Sequence, residues 1–295
     1  MSIGFIGLGI MGKPMARNIL RQGYDVVISS TNPDSNEELA KDGARVVASI
    51  GEVAAICEKI VLMLPNSPEV EDVVLGPNGL VHHLRPGSIV VDMSSIAPNV
   101  SKEMYRKLQA KDIHYMDAPV SGGEPKAIDG TITVMAGGDE DVYDACLPIL
   151  KTMASNVTRV GPVGAGNATK LVNQIIVALN IAAVSEGFQL AEKMGVDTEL
   201  AYKAIRGGLA GSTVLDSKIP SILDGNFDPG FKLKLHLKDL DNVEQTLHEL
   251  GLDLPLASSV HDTVKNLVEN GHGEEDHGAI MKQYEMNTGI KVRRK

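Results

Sequence analysis

The sequence contains no tryptophan, and aromatic residues make up only 3% of its 295 positions. Its core must therefore be mostly aliphatic, and the composition speaks against an aromatic platform for stacking single-stranded nucleic acid. Positive charge is also short. Lys and Arg number 28 against 38 Asp and Glu, a formal net charge of −10, which argues against a nucleic-acid partner. An anionic ligand would have to find its positive contacts locally. Cysteine occurs only twice, as Cys57 and Cys146, without paired spacing. That excludes a disulfide framework and a cysteine zinc motif, and it fits a reducing cytoplasm. The opening "MSIGFIG" goes straight into strand-like sequence, with neither a basic stretch nor a cleavage pattern, so no signal peptide is expected. The most apolar segment, Ile175 to Val184, is interrupted by Asn180 and flanked by Gln174 and Glu186. It reads as too short and too polar to span a membrane.

What is present is alternation. "IGFI" (3–6) reads as a buried strand, followed by the glycine loop "GLGIMG" (7–12), a helical stretch and the strand "YDVVIS" (24–29). Further apolar strands, "KIVLMLP" (59–65), "SIVVDMSS" (88–95), "IHYMDAP", "TITVMAGG" (131–138) and "NVTRVG" (156–161), are separated by helical patterns. Such alternation predicts an α/β domain with a parallel, doubly wound sheet. After Gly166 one helical pattern runs for nearly thirty residues to Gly195, and strand-like runs almost vanish. Helices are expected over 197–207, 213–223, 238–250, 256–270 and 274–287. The predicted organisation is a doubly wound domain over 1–163 and an all-helical domain over 164–295.

Gly7, Gly9 and Gly12 have the G-x-G-x-x-G spacing, after a strand and before a helix. That context is the N-terminal unit of a Rossmann domain. Gly7 permits a tight turn, Gly9 leaves room for a pyrophosphate and Gly12 lets helix and strand pack closely. The helix N-terminus offers N–H groups to the phosphates, so Gly7, Leu8, Gly9, Ile10, Met11 and Gly12 are candidate contacts for a dinucleotide. The acid that would hold a ribose 2′-hydroxyl is missing: Ser29, Ser30, Thr31 and Asn32 stand there instead. Nothing in that stretch repels a 2′-phosphate, and no Arg in it clamps one. NADPH is expected to be accepted at least as well as NADH.

"GNATKLVNQ" places Lys170, Asn173 and Gln174 at i, i+3 and i+4, near one helix face. Lys170 stands close to the positive end of the helix dipole, and burial would add a desolvation cost, so both effects ease loss of its proton. Lys170 could thus serve as an acid/base near neutral pH, or it could snorkel to solvent. "APVSGGEPKAIDGT" (118–131) follows a predicted strand end and reads as a glycine-rich turn, without the strand–turn–helix setting of a phosphate cradle.

Taken together, "FIGLGIMGKPMARN", "DAPVSGGEPKAIDGT", "GNATKLVNQ" and "HLKDL" resemble the β-hydroxyacid dehydrogenase family over essentially the whole chain. Within that family "LPNSPEV", "DMSSIAP", "AIRGGLAGSTVLD" and "GHGEEDH" are similar to the tartronate semialdehyde reductase subgroup. The resemblance implies an NAD- or NADP-dependent oxidoreductase acting on a small anionic semialdehyde or hydroxy acid. It implies that Lys170 is the catalytic lysine and that Asn173 helps to hold the substrate. Ser121, Gly122 and Gly123 match the loop that takes the substrate carboxylate. Leu64, Pro65, Asn66 and Ser95 match positions beside the nicotinamide half of the cofactor, and Lys238 matches a lysine reaching cofactor and substrate. The chain departs from the subgroup at Ser30 and Thr31, where an Asp-Arg pair is typical. That affects the cofactor preference and leaves the reaction untouched. A homodimer or homotetramer is expected, because a long apolar helix needs covering.

Other features have plainer readings. His272, Asp276 and His277 could suggest a metal, but the i, i+5 histidine spacing is poor for one helix face, and the resemblance supplies a motif without a metal. Glu186 reads as a partner in an inter-helix or inter-subunit hydrogen bond. Arg206 could bind an anion or cap a helix, and Lys126 reads as exposed.

Overall fold

Both faces of the central sheet are buried, and the apolar strands alternate between them. The computed structural model describes residues 2–294 and divides into two units, 1–170 and 171–295. In the first unit the chain forms β1 (Ser2–Ile6), α1 (Gly12–Arg21), β2 (Asp25–Ser29), α2 (Pro33–Lys41), β3 (Arg45–Val46), α3 (Ile50–Ile56), β4 (Lys59–Leu62) and α4 (Ser67–Leu75). It continues with β5 (Ile89–Asp92), α5 (Pro98–Gln109), β6 (His114–Asp117), β7 (Val120–Ser121), α6 (Gly123–Asp129), β8 (Ile132–Gly137), α7 (Glu140–Leu150) and β9 (Ala154–Gly161). The long helix α8 (Ala165–Lys193) begins here.

Ile3, Phe5, Val61 and Val91 pack on one face of the sheet with Met15 and Ile19 of α1. Ile6, Ile60, Leu62 and Val90 pack on the other with Val53 of α3 and Val70 of α4. This is the period-2 pattern of a sheet covered by helices on both sides. Strands β3-β2-β1-β4-β5-β6 run parallel in that order. The expectation of a parallel sheet holds this far and fails at the far edge. There β8 pairs antiparallel with β6 and β7, while β9 lies parallel to β8. The reason is connection length. The segment between Ser121 and Ile132 is shorter than the roughly dozen residues a parallel crossover needs.

The second glycine stretch is also not merely a turn. It forms β7, two glycines with positive φ (Gly122 at 140° and Gly123 at 71°) and the helix α6. Asn18 Nδ2 on α1 donates to Ala127 O at 2.7 Å, and Ala127 is buried. Packing against α1 therefore makes a helix of a segment that is poor in helix formers.

In the second unit α8 continues and is followed by α9 (Thr198–Ile205), α10 (Thr213–Leu223), α11 (Leu233–Leu250), α12 (Pro255–Leu267) and α13 (Ile280–Thr288). Helix α11 starts five residues before the expected 238. "FKLKLHLKDL" alternates like a strand, but Leu233, His236, Leu240, Val243 and Leu247 form a buried helical stripe. Among the described residues, α8 is the one helix long and apolar enough by length and composition to cross a membrane.

The "GHGEEDH" stretch serves as a tie. Asp276 bonds Lys218 Nζ (2.8 Å) and the backbone N–H groups of Gly230, Phe231 and Gly278 (3.1, 3.1 and 2.8 Å). The expected acid-rich helical turn is instead a short 3-10 turn at His277–Ala279 leading into α13. Asp276→Ala strands a largely buried lysine and three N–H donors. Denaturant unfolding should show a loss of about 3–5 kcal/mol in the second unit.

Candidate functional site

In the first unit, the candidate residues sit at the C-terminal ends of the parallel strands, where an open α/β sheet binds its ligands. Gly7 (φ 97°) is fixed by the fold itself, since a Cβ there would stand 2.2 Å from Met63 O. A Cβ on Gly12 would stand 1.8 Å from Gly7 O. At Gly9 a Cβ would meet nothing within 4 Å. Gly9 therefore answers to no protein neighbour, and its backbone faces open space of the kind a diphosphate requires. No side chain caps α1, and no acid stands in its first turn. The loop fits the phosphates of a dinucleotide cofactor.

A cavity of about 330 Å³ lies beside this loop, lined by Gly9, Ile10, Lys13, Arg17, Asn32 and Ser35 among others. The residues after β2 are partly occupied with one another. Ser30 Oγ accepts from Asn32 N (3.1 Å), and Asn32 Oδ1 caps α2 through Asp34 N (3.0 Å). Thr31 is exposed. That stretch has no arginine of its own, but α1 brings Lys13 and Arg17 to the same cavity. Glu38 pairs with Lys13 at 2.9 Å and Asp42 with Arg17 at 2.6 Å. Spacing along β2 alone could not reveal these cations.

The loops after β4 and β5 are stitched together. Leu64 N donates to Ser94 Oγ (2.9 Å) and Ala97 N to Ser67 Oγ (3.2 Å). Pro65 is exposed, while Asn66 and Ser95 are half-buried. In the second glycine stretch Ser121 is half-buried. A Cβ on Gly122 would press on the Lys126 side chain at 2.8 Å. Lys126 is exposed.

Lys170 is only 6% exposed, so it does not snorkel to solvent. One turn before it lies a buried polar cluster that sequence reasoning missed. Asp92 and Asp117 end β5 and β6 in register with each other, and both are fully buried. Asp92 accepts from Ser94 N (2.9 Å) and Tyr115 Oη (2.8 Å). Asp117 accepts from Gly164 N and Asn167 N, both at 2.7 Å. Burial pushes the Asp92 carboxyl up to about 6 and that of Asp117 to about 7, the neighbouring Asp92 charge adding to the latter. The available signal was an acid closing each of two apolar strands.

In the second unit, Asn173 Nδ2 donates to Gln174 Oε1 (2.8 Å), and Gln174 Nε2 donates to Asp239 Oδ2. Lys238 Nζ pairs with Asp239 Oδ1 at 2.7 Å. Two expected site residues, Asn173 and Lys238, are thus joined through Gln174 and Asp239. The suspected metal residues are not brought together. His272 bonds Glu275, His277 Nδ1 lies 3.1 Å from His236 Nδ1, and Asp276 takes Lys218. Among the described residues no group of three His, Cys, Asp or Glu could hold a metal. Burial raises the Tyr284 hydroxyl of α13 to about 12, and the charge of Glu186, which accepts its hydrogen bond, adds to this. Arg206 pairs with Asp216 at 3.1 Å.

Two family models cover nearly all of the chain. Residues 2–161 match the NAD binding domain of 6-phosphogluconate dehydrogenase, and residues 164–284 match the NAD-binding domain of NADP-dependent 3-hydroxyisobutyrate dehydrogenase. The chain belongs to the β-hydroxyacid dehydrogenase family. It is 39% identical to 2-hydroxy-3-oxopropionate reductase of Escherichia coli, over 99% of this chain and 100% of that one. It is 33% identical to human mitochondrial 3-hydroxyisobutyrate dehydrogenase, over 94% and 85%. The crystal structure of 3-hydroxyisobutyrate dehydrogenase from Salmonella typhimurium superposes with a TM-score of 0.84 at 32% identity, covering 96% and 99%. As a member of this family, the chain is an NAD(P)-dependent oxidoreductase acting on a hydroxyl group.

The two buried acids make a prediction about pH. Both hold a proton more tightly folded than unfolded. The stability they contribute is therefore fully present below about pH 4 and is lost as pH rises through about 6 for Asp92 and about 7 for Asp117. Asp92→Asn keeps the shape and most of the hydrogen bonding. It should flatten the fall in urea midpoint between about pH 4 and 6. An unchanged slope would exclude Asp92 as its source.

Proposed function

We propose that the protein is an NAD(P)H-dependent reductase interconverting tartronate semialdehyde (2-hydroxy-3-oxopropionate) and D-glycerate, with Lys170 as general acid/base. The observation that carries this reading is the near-complete burial of Lys170 on α8, one turn after a helix start clamped by a buried acid. The 39% identical reductase, matched end to end, supports the choice of substrate. When bound, a reduced nicotinamide cofactor would supply the hydride that the aldehyde carbon accepts. Lys170 as ammonium hydrogen-bonds the carbonyl oxygen and passes it a proton as the alcohol forms. In the reverse direction its neutral amine takes the hydroxyl proton. Ser121, Gly122 and Gly123 bind the substrate carboxylate through backbone N–H groups and a hydroxyl. Asn173 and Lys238 bind substrate, held in place by Gln174 and Asp239, and Lys238 also reaches the cofactor. Gly7 to Gly12 hold the pyrophosphate. Leu64, Pro65, Asn66 and Ser95 border the nicotinamide.

A second reading keeps the chemistry and changes the substrate to 3-hydroxyisobutyrate or to the succinic semialdehyde/4-hydroxybutyrate pair. The 33% identical human enzyme favours the first of these. The same proposal includes a homodimer or homotetramer, supported by exposed Val172, Ile176, Leu190 and Met194 on and just after α8. It also includes a reducing cytoplasmic setting without a nucleic-acid or membrane partner. Two free, buried cysteines and the net charge of −10 support that setting.

Short semialdehydes assayed with both cofactors test the substrate. Tartronate semialdehyde should give the highest kcat/KM, and a clear preference for methylmalonate semialdehyde would select the second reading. In the same assay Lys170→Ala should lose about 10²–10⁴ in turnover with cofactor affinity nearly intact. Near-normal turnover would overturn the mechanism.

Cofactor choice is a separate expectation. NADPH should serve at least as well as NADH, because no carboxylate occupies Ser29 to Asn32 and Lys13 and Arg17 line the adjoining cavity. A strong NADH preference in kcat/KM would mean that Glu38 and Asp42 cancel those cations.

A further inference from the structure

The cluster of buried polar groups around Asp117 has no part in the chemistry above, yet it reaches the start of the helix that carries Lys170 and the loops after β4 and β5. Each Asp117 oxygen takes one N–H at the start of α8, from Gly164 and from Asn167, at 2.7 Å. Only a group that accepts at both oxygens satisfies both donors. The carboxylate is tightly enclosed. A Cβ on Gly137 would stand 2.5 Å from Asp117 Oδ1, and one on Gly166 would stand 2.9 Å from Asp117 Oδ2. From Asn167 the network divides. Its Oδ1 accepts from Ile96 N (3.1 Å), just after β5, and its Nδ2 donates to Ser101 Oγ on α5 (3.0 Å). Ser101 also hydrogen-bonds the Tyr115 hydroxyl, which donates to Asp92. Asp92 in turn fixes Ser94, whose Oγ receives Leu64 N.

We propose that Asp117 is a positioning residue for Lys170, and that Asn167 ties the helix carrying Lys170 to the loops after β4 and β5. This rests on the reading of Lys170 as the acid/base. Lys170 is three residues beyond Asn167, one helical turn along a rigid element. The N–H groups of a first helical turn lack partners within the helix, and here a buried carboxylate determines where they sit. Gly164, Asn167, Ser94 and Leu64 are thereby referred to the two strand ends that carry Asp117 and Asp92. The proton donor and the nicotinamide-side loops share one frame.

Asp117→Asn tests this directly. The amide accepts from one N–H and turns its own donors toward the other, so the clamp opens on one side while volume is kept. Displacing a catalytic group by about 1 Å can cost about 10²-fold in rate. The expected result is a folded protein with kcat down about 10–100-fold, while KM for the aldehyde and cofactor affinity stay within about threefold. Cofactor affinity is read from the fluorescence of reduced nicotinamide. The pH dependence of Lys170 acylation, followed by mass spectrometry of its peptide, should also shift. Should Asp117→Asn fail to fold, Asn167→Ala leaves the carboxylate clamp in place and removes only the ties to Ile96 and Ser101. It should lower kcat about 3–10-fold with the same signature.

A folded Asp117→Asn variant with kcat within twofold of normal would overturn the proposal. So would loss of kcat and of cofactor affinity by one common factor, which marks general damage. If Lys170→Ala keeps turnover, the reading of Lys170 fails on its own account. The acylation profile of Lys170 in Asp117→Asn still decides the positioning claim then, and an unchanged profile would sink it.

Discussion

Two carboxylates side by side in a protein interior carry a cost, and the first unit is organised around meeting it. Asp92 and Asp117 are register partners on adjacent parallel strands. Burial disfavours the ionised form of each, and for Asp117 the neighbouring Asp92 charge adds to it. Replacing the water they lose takes donors from the start of α8, from Ser94 in the loop after β5 and from Tyr115. These donors are fixed points on three separate parts of the fold. The need to satisfy two buried acids thus fixes where a long helix begins and how two loops lie. A pair of leucines at the same positions would fill the space and specify none of this.

The architecture was largely legible because it rests on local signals. Apolar runs separated by helical patterns gave the parallel strands. The glycine spacing in its strand–helix setting gave the first loop, and the change of texture after Gly166 gave the all-helical part. Three things were not legible in the same way. Short helices such as α3 and α4 are too brief for periodicity to register. Helix α6 contains a proline and starts on a glycine, and it exists because Ala127 packs beneath α1. The antiparallel edge is a matter of connection length, and the sequence held that information without its being used.

The candidate site divides along the same line. Gly7, Gly9 and Gly12 lie within one turn of chain, and Lys170 and Asn173 within one turn of helix, so spacing finds them. Asp117 and Asn167 are 50 residues apart, and Gln174 and Asp239 are 65 apart. These pairs are made by tertiary packing, and their residue types alone are unremarkable at a strand end or on a helix face. A catalytic group can be guessed from its own neighbourhood in sequence, but the residues that hold it still cannot.

The same separation governs charge. A net charge of −10 suggests little affinity for an anionic cofactor, yet binding depends on the field at the site and not on the sum. Around the first glycine loop the field comes from an uncapped helix end and from Lys13 and Arg17, opposed at short range by their partners Glu38 and Asp42 and by Glu124 in the cavity lining. Those ion pairs are partly exposed and so individually weak. A phosphate entering the cavity would compete with two flexible carboxylates, each already screened by water, and the contest is close enough for single charges to decide it. On the reading proposed above, cofactor preference turns on α1 and α2 as well as on the stretch after β2, because Lys13, Arg17, Asn32 and Ser35 line one cavity.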